Sequence, residues 1–449
     1  MVAAMTMVPE PPAEAEATGL VRGLGAGSAL AVVVGAVIGS GVFLVATDIS
    51  ASVSSPIWGL AVWIAAGLLS LIGGLTFAEL GGQFPGAGGQ YVYLREAFGP
   101  RIAFLFGWTL FLVIQAGSIA AVASAFAGVL GDVVPLSSTG RAVVACSVIG
   151  VSTSVHLLGV RRGGLVLDVL SALKVLALVG LGVAGLVLSS RSIHELPATP
   201  MPPAASFGVA LIAAFWAYDG WNNVGFLAGE VRDPRRTVPL AMVGGIALVG
   251  ALYVLVNLAI HLALPPGELA HSAHPAIDAA VRLAGSRAGT AILCCILLST
   301  LGCVHGLVMA GARVPYAMAA DRVVPAALAR LTPHTHVPSA ALVLQMAWSI
   351  VLVLSGTYDQ LFTYVIAAAF MFYGLCAVAV IVLRRRTPTA DRAFAVPLYP
   401  WVPLAYAVFC AAFVINACRE KPMASVAGLA IVASGIPAYA WFTRGRRSR

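Results

Sequence analysis

The sequence predicts an all-α polytopic membrane protein with twelve transmembrane helices, and three observations lead to that prediction. Hydrophobic residues make up 60% of the 449-residue chain and charged residues 10%, against about 25% charged residues in ordinary soluble domains. Apolar segments of about 20 residues, the length that spans about 30 Å of hydrocarbon, recur along the whole chain. The basic residues lie almost entirely in the short connections between those segments. These features exclude a disordered chain, a collagen-like fibre and a small disulfide scaffold, and they argue against a soluble enzyme.

Twelve apolar segments follow the first 19 residues, and they are the predicted membrane-spanning helices. Their bounds are 24–48, 57–80, 102–130, 142–158, 164–188, 207–228, 239–263, 289–312, 339–355, 361–383, 399–417 and 424–442. The two longest connections, 264–288 and 313–338, are too short to fold as a separate domain. Residues 1–19 are rich in Pro, Ala and Glu and lack Lys and Arg, so we expect a flexible cytoplasmic tail rather than a signal peptide.

The basic residues predict the orientation of the chain, because cytoplasmic loops of membrane proteins carry an excess of Lys and Arg. With the N-terminus inside, 19 of the 26 basic residues fall in inside loops and 6 in outside loops, while Lys174 lies within segment 5. This bias predicts both termini in the cytoplasm and a location in the cell (inner or plasma) membrane. Because the arginines are spread over many loops, we expect the lipid bilayer as a partner and no nucleic acid.

Two segments contain residues that a spanning helix avoids. Segment 1 has Gly35, Gly39 and Gly41 in close succession, and each glycine weakens a helix by about 1 kcal/mol relative to alanine. Segment 6 has Asp219, Gly220 and two asparagines at mid-membrane, where polar residues are costly unless they face a cavity or a partner. Close helix packing is an alternative explanation for the glycines of segment 1. We predict unwound backbone, and so a discontinuous helix, in both segments.

The two breaks occupy equivalent places in two blocks of five segments. Gly39 and Asp219 are 180 residues apart, and each block begins with its interrupted helix. This pattern is typical of inverted-repeat transporters, which hold the substrate between the broken helices at the membrane midplane. Freed N–H groups at the start of one half-helix suit a carboxylate, and freed carbonyls at the end of the other suit an ammonium. A site with both is suited to an amino acid.

Three stretches carry a resemblance to a known family: Gly35–Phe43 (GAVIGSGVF), Phe77–Tyr93 (FAELGGQFPGAGGQYVY) and Trp216–Pro239 (WAYDGWNNVGFLAGEVRDPRRTVP). They resemble the amino acid–polyamine–organocation superfamily, with the closest likeness to the L-type amino acid transporter branch and its bacterial relatives. The resemblance implies a 5+5 inverted-repeat core of helices 1–5 and 6–10 with two further helices. The expected organisation is a cytoplasmic tail, two five-helix repeats, helices 11–12 and a second cytoplasmic tail, at 1–19, 20–188, 189–383, 384–442 and 443–449.

The resemblance also implies roles for single residues. The backbone from Gly39 to Gly41 would take the substrate carboxylate, and the stretch from Trp216 to Asp219 would take the amine and part of the side chain. The expected substrate-binding residues are Val37, Ile38, Gly39, Ser40, Gly41, Trp216, Ala217 and Asp219. Trp216 stands where the family often has Phe, as in members that accept cationic as well as neutral amino acids. Asp219 either attracts a cationic side chain or only braces the break, and the sequence leaves both interpretations open.

Lys174 lies well inside segment 5, where a lysine costs a few kcal/mol on insertion scales. Snorkelling toward the interface is the structural alternative. The resemblance places a lysine here, where sodium-coupled relatives of the same fold hold a sodium ion. Its ammonium would then donate to free carbonyls near Gly41 and to the hydroxyl of Ser299. We therefore predict sodium-independent transport, and both an obligatory exchanger and a proton-coupled symporter stay open.

Two other polar positions receive structural interpretations. His305 stands where the family commonly has Asn, and a hydrogen-bonded packing histidine is favoured over a role in pH response. Glu230 belongs to the charged stretch that follows segment 6, for which a solvated ion-pair loop is the default interpretation.

The predicted function is an amino acid permease or exchanger that works by alternating access. The alternatives are a proton-coupled amino acid or polyamine symporter and an amino acid sensor that does not transport. No HExxH or GxSxG motif occurs, so no enzyme is expected. The seven cysteines are scattered without a CxxC pair, and we expect no metal and no cofactor. Animal members of the branch carry a cysteine after helix 3 that links a heavy subunit. The loop 131–140 (GDVVPLSSTG) has none, so no such partner is expected.

Overall fold

Every one of the twelve predicted segments is helical in the computed structural model, which describes residues 19–197, 199–356, 358–420 and 422–444. No strand forms within those ranges. Most of the predicted N-terminal tail (1–18) and the end of the predicted C-terminal tail (445–449) lie outside the described residues.

The first five predicted segments form seven α-helices, and one short helix lies in a connection between them. They are α1 (Ala26–Val37), α2 (Gly41–Val53), α3 (Pro56–Gln83), α4 (Gln90–Phe98), α5 (Pro100–Thr109), α6 (Gln115–Gly131), α7 (Ser138–Leu157) and α8 (Val160–Leu188). Segment 1 is the pair α1 and α2. Segment 3 is α5 and α6, joined without interruption by a turn of π-helix at Leu110–Ile114.

The remaining seven segments follow in the same way. Their helices and those of the connections are α9 (Ala204–Tyr218), α10 (Asn223–Phe226), α11 (Pro234–Ala263), α12 (Pro266–Leu269), α13 (Pro275–Ala284), α14 (Ser286–Gly311), α15 (Arg313–Ala320), α16 (Ser339–Ser355), α17 (Tyr358–Arg386), α18 (Trp401–Glu420) and α19 (Pro422–Arg444). Segment 6 consists of α9 and α10. The helices α17 and α19 run beyond residues 383 and 442, where the predicted repeat and the predicted last span end.

The lengths and compositions of these helices fit a membrane-embedded chain. Within the described residues, nine helices are long and apolar enough to cross a membrane, and the bent pair of α1 and α2 supplies a tenth. The helix α16 is apolar but shorter, with 17 residues, and segment 6 is divided by its break. The chain is therefore an all-α polytopic membrane protein, as predicted.

Close helix packing positions the long helix α11, which lies behind the two broken helices. A Cβ atom added at Gly185 of α8 would lie 2.2 Å from the Cβ of Ala259 in α11. One added at Gly74 of α3 would lie 2.3 Å from the Cδ1 of Ile246 in α11. Small residues permit such approaches, and packing of this kind drives helix association in lipid. The long helix α11 is thus held tightly between α3 and α8, behind both broken helices.

Candidate functional site

The break in segment 1 separates α1 from α2, and the chain bends there by 42°. The helix α1 ends at Val37 and α2 begins at Gly41, with Ile38, Gly39 and Ser40 between them. The last carbonyls of a helix and its first N–H groups have no partner within that helix. This break therefore presents acceptors at the end of α1 and donors at the start of α2.

Side chains from neighbouring helices occupy several of the freed carbonyls. Lys174 of α8 donates to the carbonyl oxygens of Gly35 at 2.8 Å and Ile38 at 2.7 Å. The hydroxyl oxygen of Ser299 in α14 lies 2.9 Å from the carbonyl oxygen of Ile38 and 3.1 Å from that of Gly39, and its one proton can be donated to either. The lysine and Ser299 thus meet at a shared acceptor. The ammonium of Lys174 is buried, and none of the ion pairs within the described residues includes it.

The break in segment 6 requires a glycine. The helix α9 ends at Tyr218, and Asp219 and the following residues lead in a turn to α10. Gly220 has a φ of +110°, in the left-handed region that side chains disfavour. A Cβ atom there would also lie 3.0 Å from the carbonyl oxygen of Ala36 in α1. Glycine is needed both for the turn and for the close approach of the two broken helices.

The polar side chains of segment 6 are paired with side chains of other helices. Asp219 accepts a hydrogen bond of 2.7 Å from the hydroxyl of Tyr373 in α17. The two asparagines bond to glutamines, in the pairs Asn222–Gln90 (2.8 Å) and Asn223–Gln115 (3.1 Å). These partners offset part of the cost of placing amides and a carboxylate among apolar helices.

A cavity lies between the two breaks, with about 660 Å³ of empty space including its open mouth. Seven of the predicted substrate-binding residues line it: Val37, Gly39, Ser40, Gly41, Trp216, Ala217 and Asp219. Ile38 does not line it, because its carbonyl is bonded to Lys174 and Ser299. Lys174 and Ser299 themselves lie behind the break rather than in the cavity wall.

Other helices complete the wall with residues that the sequence did not identify. Six of them are Gln90, Phe106, Leu110, Ile114, Cys303 and Tyr373. Leu110 and Ile114 bound the π-helical turn of segment 3, and such turns are frequent at functional sites. Gln90 lies in the connection between segments 2 and 3, and Phe106 is one apolar residue among many in segment 3. Apolar residues of a spanning helix look alike in sequence whether they face lipid, a neighbour or a cavity.

The cavity wall carries a carboxylate, a serine hydroxyl and the ends of broken helices. Asp219 is the one carboxylate among the described residues that line it. The hydroxyl oxygen of Ser40, next to the start of α2, is buried without a hydrogen-bond partner in the described part of the chain. The start of α2 offers N–H groups and the positive end of the helix dipole, while α1 and α9 end nearby in carbonyls. Such an arrangement can bind a carboxylate and an ammonium side by side.

Comparison with known proteins finds similarity over almost the whole chain. A family model described as amino acid permease matches residues 24–438. The serine/threonine exchanger SteT of Bacillus subtilis is 32% identical, covering 94% of this chain and 97% of the relative. The b(0,+)-type amino acid transporter 1 of Rattus norvegicus is 31% identical, covering 88% and 83%. The cystine/glutamate transporter of Homo sapiens is 28% identical, covering 92% and 83%.

Proposed function

Because the chain belongs to the amino acid permease family of the amino acid–polyamine–organocation superfamily, we propose that it is a sodium-independent amino acid exchanger working by alternating access. The substrate carboxylate would bind at the start of α2, and the ammonium at the carbonyl ends of α1 and α9. The observation that carries this proposal is the cavity between the two breaks, whose wall includes residues of both.

Lys174 supports the proposed independence from sodium. Freed carbonyls of a broken helix are the oxygen ligands that sodium-coupled transporters use. Here the carbonyls of Gly35 and Ile38 are already bonded to an ammonium that is part of the chain. A fixed cation at this place would supply the charge that a diffusible sodium ion supplies elsewhere.

The comparisons favour exchange over net uptake, because the serine/threonine exchanger SteT is 32% identical to this chain over 94% of its length. A proton-coupled symporter is the second candidate, and one observation favours it. Lys174 has no ion-pair partner among the described residues, so it could release its proton without leaving a buried anion unpaired. A polyamine ranks lower as a substrate, because it lacks the carboxylate that the start of α2 suits.

We further propose that residues 20–188 and 189–383 form two inverted repeats, followed by two helices at 384–442, with both termini in the cytoplasm. The equivalent positions of the two breaks, each in the first segment of its block, support this division. The excess of arginine in alternate connections supports the orientation. The protein would then lie in the cell membrane without a disulfide-linked heavy subunit.

Uptake of radiolabelled amino acids into proteoliposomes tests the function. The vesicles are either empty or loaded with the same amino acid, and sodium is replaced by choline at fixed ionic strength. We expect uptake only into loaded vesicles, with equal rates in sodium and choline. Uptake that depends steeply on sodium would refute the proposal. Uptake into empty vesicles driven by an inward proton gradient would establish the symporter instead.

We predict that Asp219 gives the protein a preference for cationic substrates, and that Asp219→Asn removes this preference. We expect the ratio of arginine to serine transport to fall about tenfold, because the carboxylate attracts a cationic side chain in a poorly screened cavity. Tyr373→Phe is the matched control, since it removes the 2.7 Å hydrogen bond but keeps the charge. An unchanged ratio in Asp219→Asn would mean that Asp219 only braces the break.

We predict that alanine substitution has different effects at two glycines of segment 1, because only one of them lies against the other broken helix. A Cβ at Gly41 would lie 2.9 Å from the Cα and Cβ of Ala217, whereas one at Gly39 would lie 3.3 Å from the Sγ of Cys303, a side chain that can shift. We expect Gly41→Ala to raise the KM for exchange about tenfold or more, about 1.4 kcal/mol, and Gly39→Ala to change it little. Equal KM values for both variants would show that the close approach is not required.

A further inference from the structure

A groove on the lateral surface of the helix bundle lies between α3 and α11. It has about 1030 Å³ of empty space including its open side, and its walls come from residues within 64–71 of α3 and 246–258 of α11. Ile64 and Leu68, which line it, are 46% and 57% exposed. Both helices are long and apolar enough to cross a membrane. The groove therefore opens to the hydrocarbon of the bilayer, as a continuation of the lipid-facing surface.

The lining of this groove is apolar and carries no charged side chain among the described residues. Of the twelve that form it, Tyr218 alone has a polar group, and its hydroxyl donates to the carbonyl oxygen of Trp63 at 3.1 Å. An apolar space of this kind does not hold water. Left as a void, it would forfeit the dispersion contacts of its walls. The occupant that its chemistry accepts is a hydrocarbon chain.

The dimensions of the groove favour an acyl chain over a third helix. Its wall on α11 extends over about 18 Å at 1.5 Å per residue, close to half of the 30 Å or so of hydrocarbon in a bilayer. The axes of two packed helices lie about 8–10 Å apart, so a crevice between them is narrower than a helix of about 10–12 Å. The phenol of Tyr218 forms the floor, since a Cβ added at Gly67 or Gly250 would lie 2.9 or 3.7 Å from its hydroxyl oxygen.

From this geometry we propose that the groove binds one acyl chain of a membrane phospholipid, packed against the ring of Tyr218. Tyr218 is the last residue of α9 and directly precedes Asp219 in the break of segment 6. The acyl chain thereby becomes part of the packing that holds the end of a broken helix. The inference goes beyond the proposed function, because the groove shares no described lining residue with the cavity between the breaks.

Two exposed alanines in spanning helices provide a matched pair of variants. Ala251 belongs to the wall of the groove on α11, whereas Ala172 lies on α8 and outside the groove. Ala251→Trp places an indole ring in the space that the acyl chain would fill. Ala172→Trp places the same ring on a lipid-facing surface without filling the groove, so it controls for a large aromatic side chain in the membrane.

Photo-crosslinking in proteoliposomes tests the binding without any substrate. The probe is a phosphatidylcholine with a diazirine in the middle of one acyl chain, and mass spectrometry locates the labelled residues. We expect residues 64–71 and 246–258 of the wild type to be labelled several-fold more than the lipid-facing middle of α8, at 169–179. Ala251→Trp should remove that excess and Ala172→Trp should keep it. Equal labelling of the groove and α8 would overturn the inference. Crosslinks between two copies through α3 or α11 would also overturn it, because the occupant would then be a second protein chain.

Amino acid exchange tests the link from the acyl chain to α9. The vesicles contain phosphatidylcholine with either straight or methyl-branched chains, since branches hinder entry into a narrow crevice. We expect the wild type and Ala172→Trp to exchange several-fold more slowly in the branched lipid, and Ala251→Trp to exchange equally in both because its indole fills the crevice. Equal slowing of all three proteins would refute the support of α9. A wild type that exchanges no amino acid would refute the proposed function, and the labelling would still decide whether the groove binds lipid.

Discussion

Lys174→Met should reduce amino acid exchange about a hundredfold while leaving the protein folded. The substitution removes the donors that bond the carbonyls of Gly35 and Ile38 at the end of α1. Hydrogen bonds to a charged group contribute about 1.5–3 kcal/mol each, and a hundredfold change corresponds to about 2.7 kcal/mol. Methionine has a similar length and carries no buried charge, so the helix packing around it should survive.

Two comparisons make the result of Lys174→Met specific. Ser299→Ala removes the other donor to the Ile38 carbonyl but keeps the ammonium, so we expect a smaller loss, about tenfold or less. If the ammonium stands in for a sodium ion, high sodium should partly restore exchange by Lys174→Met and have no effect on the wild type. Exchange at the wild-type rate in both sodium and choline would show that the lysine is a packing residue only.

The breaks could be located from the sequence because their residues contrast with an apolar background. Gly39, Asp219 and Gly220 each violate the pattern of a spanning helix, and all three lie at or beside an interruption. The residues that contact the breaks could not be identified from the sequence in the same way. The hydroxyl of Tyr253 lies within hydrogen-bond distance of the carbonyl oxygens of Val37 and Ala217, and that of Tyr373 donates to Asp219. Both are aromatic residues within long apolar segments, and nothing in their spacing distinguishes a partner of a broken helix from a core residue.

Ile38 shows what the spacing of residues along the chain cannot predict. It stands between Val37 and Gly39, both of which line the cavity. A change of direction at one residue of unwound backbone turns its carbonyl toward Lys174 and Ser299 instead. Spacing along the chain places a residue at a break, but only the local φ and ψ angles decide which way its carbonyl points.

The connections were harder to predict than the spans. The helices α4, α13 and α15 lie where no apolar run indicated a helix. For Glu230 the interpretation as part of a solvated loop was wrong, since its side chain is fully buried. The reason is that other parts of the chain cover this connection. The backbone N–H of Leu24 donates to the Glu230 carbonyl oxygen at 3.0 Å, and Arg313 at the start of α15 packs against its carboxylate.

Among the described residues, Glu230 and Arg313 form the one ion pair in which both side chains are buried. Two parallel hydrogen bonds join the guanidinium to the carboxylate, at 2.8 Å from Nε to Oε2 and 3.0 Å from Nη2 to Oε1. A further N–H of Arg313 bonds to the carbonyl oxygen of Met309. The pair thus links the end of segment 6 to the end of segment 8, and removing one partner would leave the other charge buried and unpaired.

Glu230→Gln should therefore lower the free energy of unfolding by about 3–5 kcal/mol, measured by reversible unfolding in mixed detergent and SDS micelles. The double variant Glu230→Met with Arg313→Met should recover most of that loss, because replacing both charges removes the desolvation cost together with the attraction. Asp391→Asn is the control for charge removal, since the pair of Asp391 with Arg235 is exposed to solvent, and such pairs contribute little. Equal stabilities of Glu230→Gln and Asp391→Asn would mean that water reaches the buried pair. A double variant no more stable than Glu230→Gln would mean that the loss comes from packing and hydrogen bonds around Arg313 rather than from an unpaired charge.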